Sequence, residues 1–291
     1  MSSKVYEKTG GQFGQSRILC DAHMHTDFST DCASPVRSML DAAVEKGLHA
    51  VCITDHMDLD FPPQEREEHP ADAQPFQFDV KEYFRVLAPL KEEYRDRLEV
   101  RIGIELGLQP HLGAWYKELL AGYPFDFAIG SIHLVRGMDP YYGKLFEGRP
   151  DADAYREAFE ETLCCIEQNE DFDTLGHLDY VVRYGKHQEK EYSYRAFADE
   201  IDEVLKKLIS MGKGLEVNTG GLKYGLGFTN PHPDVIKRYR ELGGEIITVG
   251  ADAHRPEYVG NEFKKAADIL EACGFRYYAE FKERRPVFRR L

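Results

Sequence analysis

The chain has 291 residues, 42% of them apolar and 12% aromatic, enough to bury the core of one large α/β domain or of two smaller ones. Its formal charge of −14 argues against general nucleic-acid affinity and against binding to anionic membrane surfaces. No stretch approaches the about 18 consecutive apolar residues of a membrane helix, and residues 1–16, read as a flexible tail or an edge segment, lack the apolar run of a signal peptide.

The first strand lies within residues 18–31, ILCDAHMHTDFSTD. Side chains alternate along a strand, so His23 and His25 are expected on one face, their Cα atoms roughly 6–7 Å apart. Two imidazoles that close can grip one divalent ion. Ser34-Pro35 reads as a helix cap followed by Pro at the first helical position, with Gly47 as the stop. A second strand, HAVCIT over 49–54, is apolar throughout, as a strand buried on both faces should be, and runs into Asp55-His56. Residues 61–78 carry no periodicity and read as a long surface loop, a common form for a functional lid.

A helix is expected over 79–97 and a third strand over 98–106, LEVRIGIEL, with Glu105 near its end. A helix near 112–120 precedes a fourth strand, FDFAIGSI over 125–132, which runs into His133. The following loop, 136–150, carries Asp139 and Tyr141-Tyr142, and 151–168 is helical in pattern. A short strand over 173–175 leads to Gly176-His177-Leu178-Asp179, then to a loop with Arg183, Lys186 and His187. An amphipathic helix over 194–211 precedes strand 215–217, which ends at Asn218. After a helix over 232–242 comes strand 245–249 with Asp252 and His254 behind it, a helix over 261–273, and an apolar tail, FRYYAEF. The six cysteines show no CxxC spacing, so free thiols in a cytoplasmic, reducing compartment are expected.

Seven strands alternating with helices imply parallel pairing and right-handed crossovers. An open sheet and a closed barrel both satisfy that pattern. The polar residues decide between them, because a barrel collects functional groups from the C-terminal ends of many strands, whereas an open sheet gathers them at one switch point. The expectation is a distorted (β/α)7 TIM-like barrel, with one domain over 17–291. Of eleven histidines, six sit at or just past strand ends: His23, His25, His56, His133, His177 and His254. Asp31, Asp55, Glu105 and Asp252 share those positions. Six imidazoles crowded into one mouth are costly without cations, and so many ligands exceed what one or two ions need. Three contacting ions bridged by Glu105 would use them. His49, at the opposite rim, and His69, His111, His187 and His232 read as ordinary polar residues.

HMH in DAHMHTDFSTD, TDH in ITDHMDLD, Glu105 in GIELG, then SIH, GHLD and DAH resemble the successive motifs of the polymerase and histidinol phosphatase (PHP) superfamily. ITDHMDLDFP, GSIHLVRGMDPYY and LEVNTGGL resemble its stand-alone histidinol-phosphate phosphatase branch. The resemblance implies a first metal on His23, His25, Glu105 and Asp252, and a second on Glu105, His133 and His177. It implies a third on Asp31, His56 and His254. Some members have a histidine where this chain has Asp31, and the aspartate shifts that set towards harder ions among Zn, Mn and Fe. Asp55 is expected behind the ligands.

The reaction implied is metal-dependent hydrolysis of a small phosphate monoester, L-histidinol phosphate, by a hydroxide bridging the metals, with Glu105, Asp252 and His254 at the catalytic core. Arg183 is the candidate fork for the phosphate, with Arg255 behind it. Asn218 is a candidate to position the substrate, and Asp139 or Asp179 to pair its ammonium. A nuclease or other phosphodiesterase with the same metals, or a phosphatase of another small substrate, is the alternative. Charge weighs against the nuclease.

Overall fold

The computed structural model describes residues 6–7, 17–62 and 76–291. Most of the 1–16 segment and of the 61–78 loop falls outside the described residues. Tyr6–Glu7 forms β1, a two-residue edge strand. Next come β2 (Cys20–Met24), α1 (Val36–Glu45), β3 (Ala50–Ile53), the short β4 (His56–Met57) and α2 (Val80–Tyr94). β5 (Glu99–Gly107), α3 (Gly113–Gly122), β6 (Phe127–Ser131), α4 (Asp151–Gln168) and β7 (Thr174–Leu175) follow. The chain continues with α5 (Ala198–Ser210), β8 (Gly214–Asn218), α6 (Pro233–Glu241), β9 (Ile247–Gly250) and α7 (Phe263–Ala272), joined by short helical turns. It ends with β10 (Tyr277–Lys282) and β11 (Arg285–Arg290).

Strand order β2-β3-β5-β6-β7-β8-β9, parallel throughout, makes the expected distorted seven-stranded barrel, with β4 pairing β5 beyond the end of β3. β2 and β9 close it through the residues past their ends. Asp252 N donates to His23 O at 2.8 Å and His25 N to Ala253 O at 2.9 Å. The buried Asp21 carboxylate adds bonds from Ala251 N at 3.0 Å and Gly260 N at 2.8 Å. The seam of the barrel therefore runs directly beneath two of the expected ligands.

β3, β6 and β9 are buried along their whole length, as a parallel sheet wrapped by helices requires. α2 shows how a helix is fixed on that sheet. Asp79 caps it by accepting from Lys81 N at 2.8 Å and Glu82 N at 3.1 Å. Val80, Tyr83, Leu87, Leu90 and Tyr94 then recur every three or four residues and are buried, with Tyr83 donating to Ile53 O and Gly103 O.

Two expectations are corrected. Ser34 does not cap α1, whose first turn has no side-chain cap; its hydroxyl donates instead to His254 O at 2.9 Å. The C-terminal segment is a hairpin rather than a tail: β10 pairs antiparallel with β11, and β1 pairs with β11. Its turn residues, Glu283 and Arg284, both take left-handed φ, 50° and 61°. That conformation is the normal one for a two-residue hairpin, but Asn or Gly usually signals it. The hairpin plugs the bottom of the barrel, where Ala279 and Phe281 pack on Ala22, Cys52, Phe127 and Ile129.

Candidate metal centre

The six strand-end histidines converge on one face. His23 and His25 are fully buried with their Nε2 atoms 3.1 Å apart. From His25 the imidazoles run on to His56 and His254, each with a ring centroid 4.1 Å away. His133 lies 5.2 Å from His56, and His177 lies 5.5 Å from His133 and 5.8 Å from His23.

The carboxylates are threaded among these rings. Glu105 is the middle one and is 0% exposed. Its Oε2 lies 3.2 Å from His23 Nε2, 3.5 Å from His25 Nε2 and 2.9 Å from His56 Nδ1. Its Oε1 lies 3.3 Å from His133 Nε2 and 3.0 Å from His177 Nε2. Asp252 Oδ1 is 3.3 Å from His25 Nε2 and 3.8 Å from His23 Nε2. Asp31 stands at the outer edge, its Oδ2 3.1 Å from His254 Nε2 and 3.6 Å from His56 Nε2. His56 thus touches both Glu105 and the outer pair. Asp252 reaches its place with φ at 53°, a left-handed conformation that Asp tolerates better than most residues and that is often found at functional sites.

These residues suit divalent cations. Three groups have donor atoms close enough to share an ion: His23, His25 and Asp252; His25, His56 and His254; and His56, Glu105 and His133. Glu105 Oε2 and His56 Nδ1 are buried without a hydrogen-bond partner although they face each other, which is costly unless a cation satisfies both. Burial, with His56 and His254 alongside, pushes the His25 imidazole well below its ordinary range, whereas at His23, His56, His133 and His254 the neighbouring carboxylates outweigh burial and push the rings above theirs. Burial would raise Asp31, but His56 and His254 hold its carboxyl well below the usual range. Imidazole and carboxylate together favour Zn, Mn or Fe over Mg or Ca.

Comparison with known proteins agrees with this chemistry. The PHP domain profile matches residues 21–220. The chain belongs to the PHP family. A probable histidinol-phosphatase of Clostridium acetobutylicum is 33% identical over 259 residues, covering 89% of this chain and 95% of that protein. The histidinol-phosphatase of Lactococcus lactis is 29% identical over 90% of this chain and 93% of its own. A crystal structure of the Lactococcus lactis histidinol phosphate phosphatase, complexed with Zn, L-histidinol and phosphate, superposes with a TM-score of 0.82 at 28% identity. The match covers 92% of this chain and 98% of that one.

Around the histidine and carboxylate cluster the chain supplies a ring of orienting groups, two of which carry no obvious sequence signal. His23 Nδ1 lies 2.6 Å from Glu216 Oε1, and Glu216 Oε2 accepts from His177 N at 2.9 Å. His133 Nδ1 lies 2.9 Å from Asp58 Oδ2. His25 Nδ1 lies 3.1 Å from Ser29 Oγ, which donates to Asp55 Oδ1 at 2.6 Å, and Ser131 Oγ donates to Glu105 Oε1 at 2.6 Å. Asp55 also accepts from Thr26 N and Oγ1 at 2.7 Å, so it stands behind the ligands as expected. Such carboxylates fix which ring nitrogen faces the ion. Asp58→Ala is expected to lower metal affinity about 10- to 100-fold with the fold intact, as read by zinc titration against a competing chelator.

The remaining candidates separate. Asn218 is buried beside the cluster, its Nδ2 3.4 Å from Asp252 Oδ2 and 3.3 Å from Glu216 Oε2, while its Oδ1 accepts from Gly220 N. It braces ligands and turn together. Arg183 is half-buried, with Asp252 among the charges acting on it. Asp139 caps the turn at Pro140–Tyr142 by accepting from Tyr141 N at 2.8 Å. Asp179 is corrected as an ammonium site. It is 0% exposed, and its oxygens are taken by Tyr192 Oη at 2.6 Å, Asn230 Nδ2 at 2.6 Å and His232 N at 2.8 Å. Arg255 is exposed, and no side-chain partner of it is seen among the described residues. Of the other histidines, His49 meets Glu280, His111 meets Asp60 and His232 caps α6, whereas His69 lies outside the described residues.

Proposed function

We propose that the chain hydrolyses L-histidinol phosphate to L-histidinol and phosphate, using up to three divalent ions. The observation that carries the reading is the placement of Glu105, whose two oxygens lie within 3.5 Å of five imidazoles, His23, His25 and His56 on one and His133 and His177 on the other. His23, His25, Glu105 and Asp252 form the first ligand set, Glu105, His133 and His177 the second, and Asp31, His56 and His254 the outer one. When bound, the ions lower the pKa of water and offset charge on phosphoryl oxygens. Zinc is the metal named for the Lactococcus lactis structure, and each of the three sets, with two imidazoles and one or two carboxylates, suits Zn, Mn or Fe.

Glu105 and Asp252 hold charge at the reacting centre. His254 stands at the outer edge of that centre beside Asp31. Arg183 grips the phosphate, and Asp139 pairs the ammonium of the amino alcohol. The domain runs over 17–291 up to the C-terminal hairpin that seals the barrel, and Tyr6–Glu7 adds an edge strand to that hairpin. The six cysteines are free thiols, which fits work in the cytoplasm. No helix among the described residues is long and apolar enough to cross a membrane.

Side-by-side kinetics test the reading. L-Histidinol phosphate should be hydrolysed in preference to bis(p-nitrophenyl) phosphate and single-stranded DNA, with only a mild fall between low and physiological salt. A polynucleotide substrate would show a steep salt dependence. Chelation should abolish activity, and elemental analysis should find up to three metal ions per chain. Arg183→Ala should lower kcat/KM by about 10²-fold, the scale of a lost charge-assisted contact. Faster cleavage of DNA than of the monoester would overturn the assignment.

A further inference from the structure

On one wall of the mouth, cations and tyrosine rings alternate outward from the metal centre. Tyr180 lies against His177 with ring centroids 4.9 Å apart. The Arg183 guanidinium lies over the Tyr180 ring at 5.0 Å from its centroid and over the Tyr224 ring at 4.3 Å. Lys223 Nζ lies over Tyr224 at 4.5 Å and over Tyr258 at 4.0 Å, and donates to the Tyr224 hydroxyl at 3.0 Å. Tyr224 is 49% exposed, so burial of its own ring does little to fix it there. Its engagement with two cations calls for another reason.

Arg183 supplies that reason. Its Nε and Nη2 are shut from solvent and have no hydrogen-bond partner. A guanidinium keeps its charge when buried, so idle donors are costly until an anion meets them. Contacts with aromatic rings use the face of the guanidinium and leave its edge free for two parallel bonds to a phosphate. A methyl group built on Gly220 would lie 2.7 Å from Asn218 Oδ1, 3.2 Å from Arg183 Nη2 and 3.6 Å from Asp252 Oδ2. The bare glycine therefore leaves a narrow gap bordered by the Asn218 amide, the Arg183 guanidinium and the Asp252 carboxylate.

We propose that Tyr180 and Tyr224 are positioning residues that hold Arg183 edge-on to this gap, and that Tyr224 thereby sets affinity for the phosphoryl end of the substrate and not for its amino-alcohol end. The inference rests on the phosphomonoesterase reading for its role in turnover. The clamp itself is tested by binding alone, so the two can fail separately.

The experiment is calorimetric titration of the metal-loaded protein with inorganic phosphate and, separately, with L-histidinol, for wild type, Tyr224→Ala, Tyr224→Phe and Gly220→Ala. Tyr224→Ala should weaken phosphate binding roughly tenfold, the scale of a desolvated cation–π contact, with L-histidinol binding within about twofold of wild type. Tyr224→Phe keeps the ring face and should restore phosphate binding, and Gly220→Ala, whose Cβ would crowd Asn218 Oδ1 as well as Arg183 Nη2, should weaken it. In kinetics on L-histidinol phosphate, Tyr224→Ala should raise KM more than it lowers kcat. Unchanged phosphate binding in Tyr224→Ala, equal weakening of both ligands, or no recovery in Tyr224→Phe would each overturn the clamp. A wild-type protein that binds phosphate through Tyr224 but turns over no monoester would overturn the functional reading and support the clamp.

Discussion

Glu105→Gln is expected to lower turnover by on the order of 10³-fold or more while the chain stays folded. The substitution keeps the shape of the side chain, so packing in the fully buried site is preserved. It removes the charge, however, and turns one oxygen into a donor. In the native chain Oε1 already accepts from Ser131 Oγ at 2.6 Å and faces His133 and His177, while Oε2 faces His23 and His56. An amide nitrogen on either side would point hydrogens at imidazole nitrogens whose lone pairs are needed for ions. Two ligand sets lose their shared member together, whereas loss of any one histidine disturbs fewer contacts. Kinetics, circular dichroism and a metal count on the same preparation check this. Near-normal turnover with full metal content would sink the bridging role, above all if His49→Ala, at the other end of the barrel, were inactive.

What the sequence made legible were groups placed by strand geometry. His23, His25, His56, His133, His177 and His254 stand at strand ends, and parallel strands in a barrel bring their ends to one rim, so the list of strand ends is nearly the list of residues that cluster there. The orienting carboxylates were hidden for a physical reason. Glu216 sits inside LEVN as one polar residue in a buried strand, and only the position of His23, 193 residues away in sequence, gives it a task. Asp58 is one of several acids in ITDHMDLD, and its partner His133 arrives from β6. Asp179 misled for the converse reason: its position just past His177 suggested the mouth, but its side chain turns inward to tie down Tyr192, Asn230 and His232. The C-terminal hairpin was missed because Glu283 and Arg284 adopt left-handed φ without the Gly or Asn that usually announces such a turn.

That hairpin carries the second large effect, on stability rather than catalysis. Glu280 in β10 is 0% exposed at the plugged end of the barrel. Its Oε2 lies 3.0 Å from Arg101 Nη2 and 3.3 Å from Arg289 Nε, and its Oε1 lies 3.0 Å from His49 Nε2 and accepts from Tyr278 Oη at 2.9 Å. Arg101 is itself 2% exposed. Glu280→Ala strands that guanidinium with Glu99 alone, 2.9 Å away, so the loss should be roughly 3 kcal/mol, the low end for breaking a buried pair. Glu280→Gln, which keeps an acceptor for Tyr278, should lose less.

The same network predicts a pH signature. Burial alone would raise the Glu280 carboxyl, but the His49 hydrogen bond and the Arg101 and Arg289 charges bring it down to about 2. A carboxyl whose folded pKa lies below its unfolded value, about 4.3, stabilises fully above that value and loses the contribution as pH falls. The wild-type advantage over Glu280→Ala should therefore be complete above about pH 5 and drain away towards pH 2. Urea unfolding of both proteins across that range measures it, with turnover of the folded variant unchanged because the histidine cluster lies at the opposite rim. A difference below about 1 kcal/mol at neutral pH, or one that does not shrink on acidification, would mean that the apolar contacts of Ala279 and Phe281 hold the plug and that the buried charges merely tolerate each other.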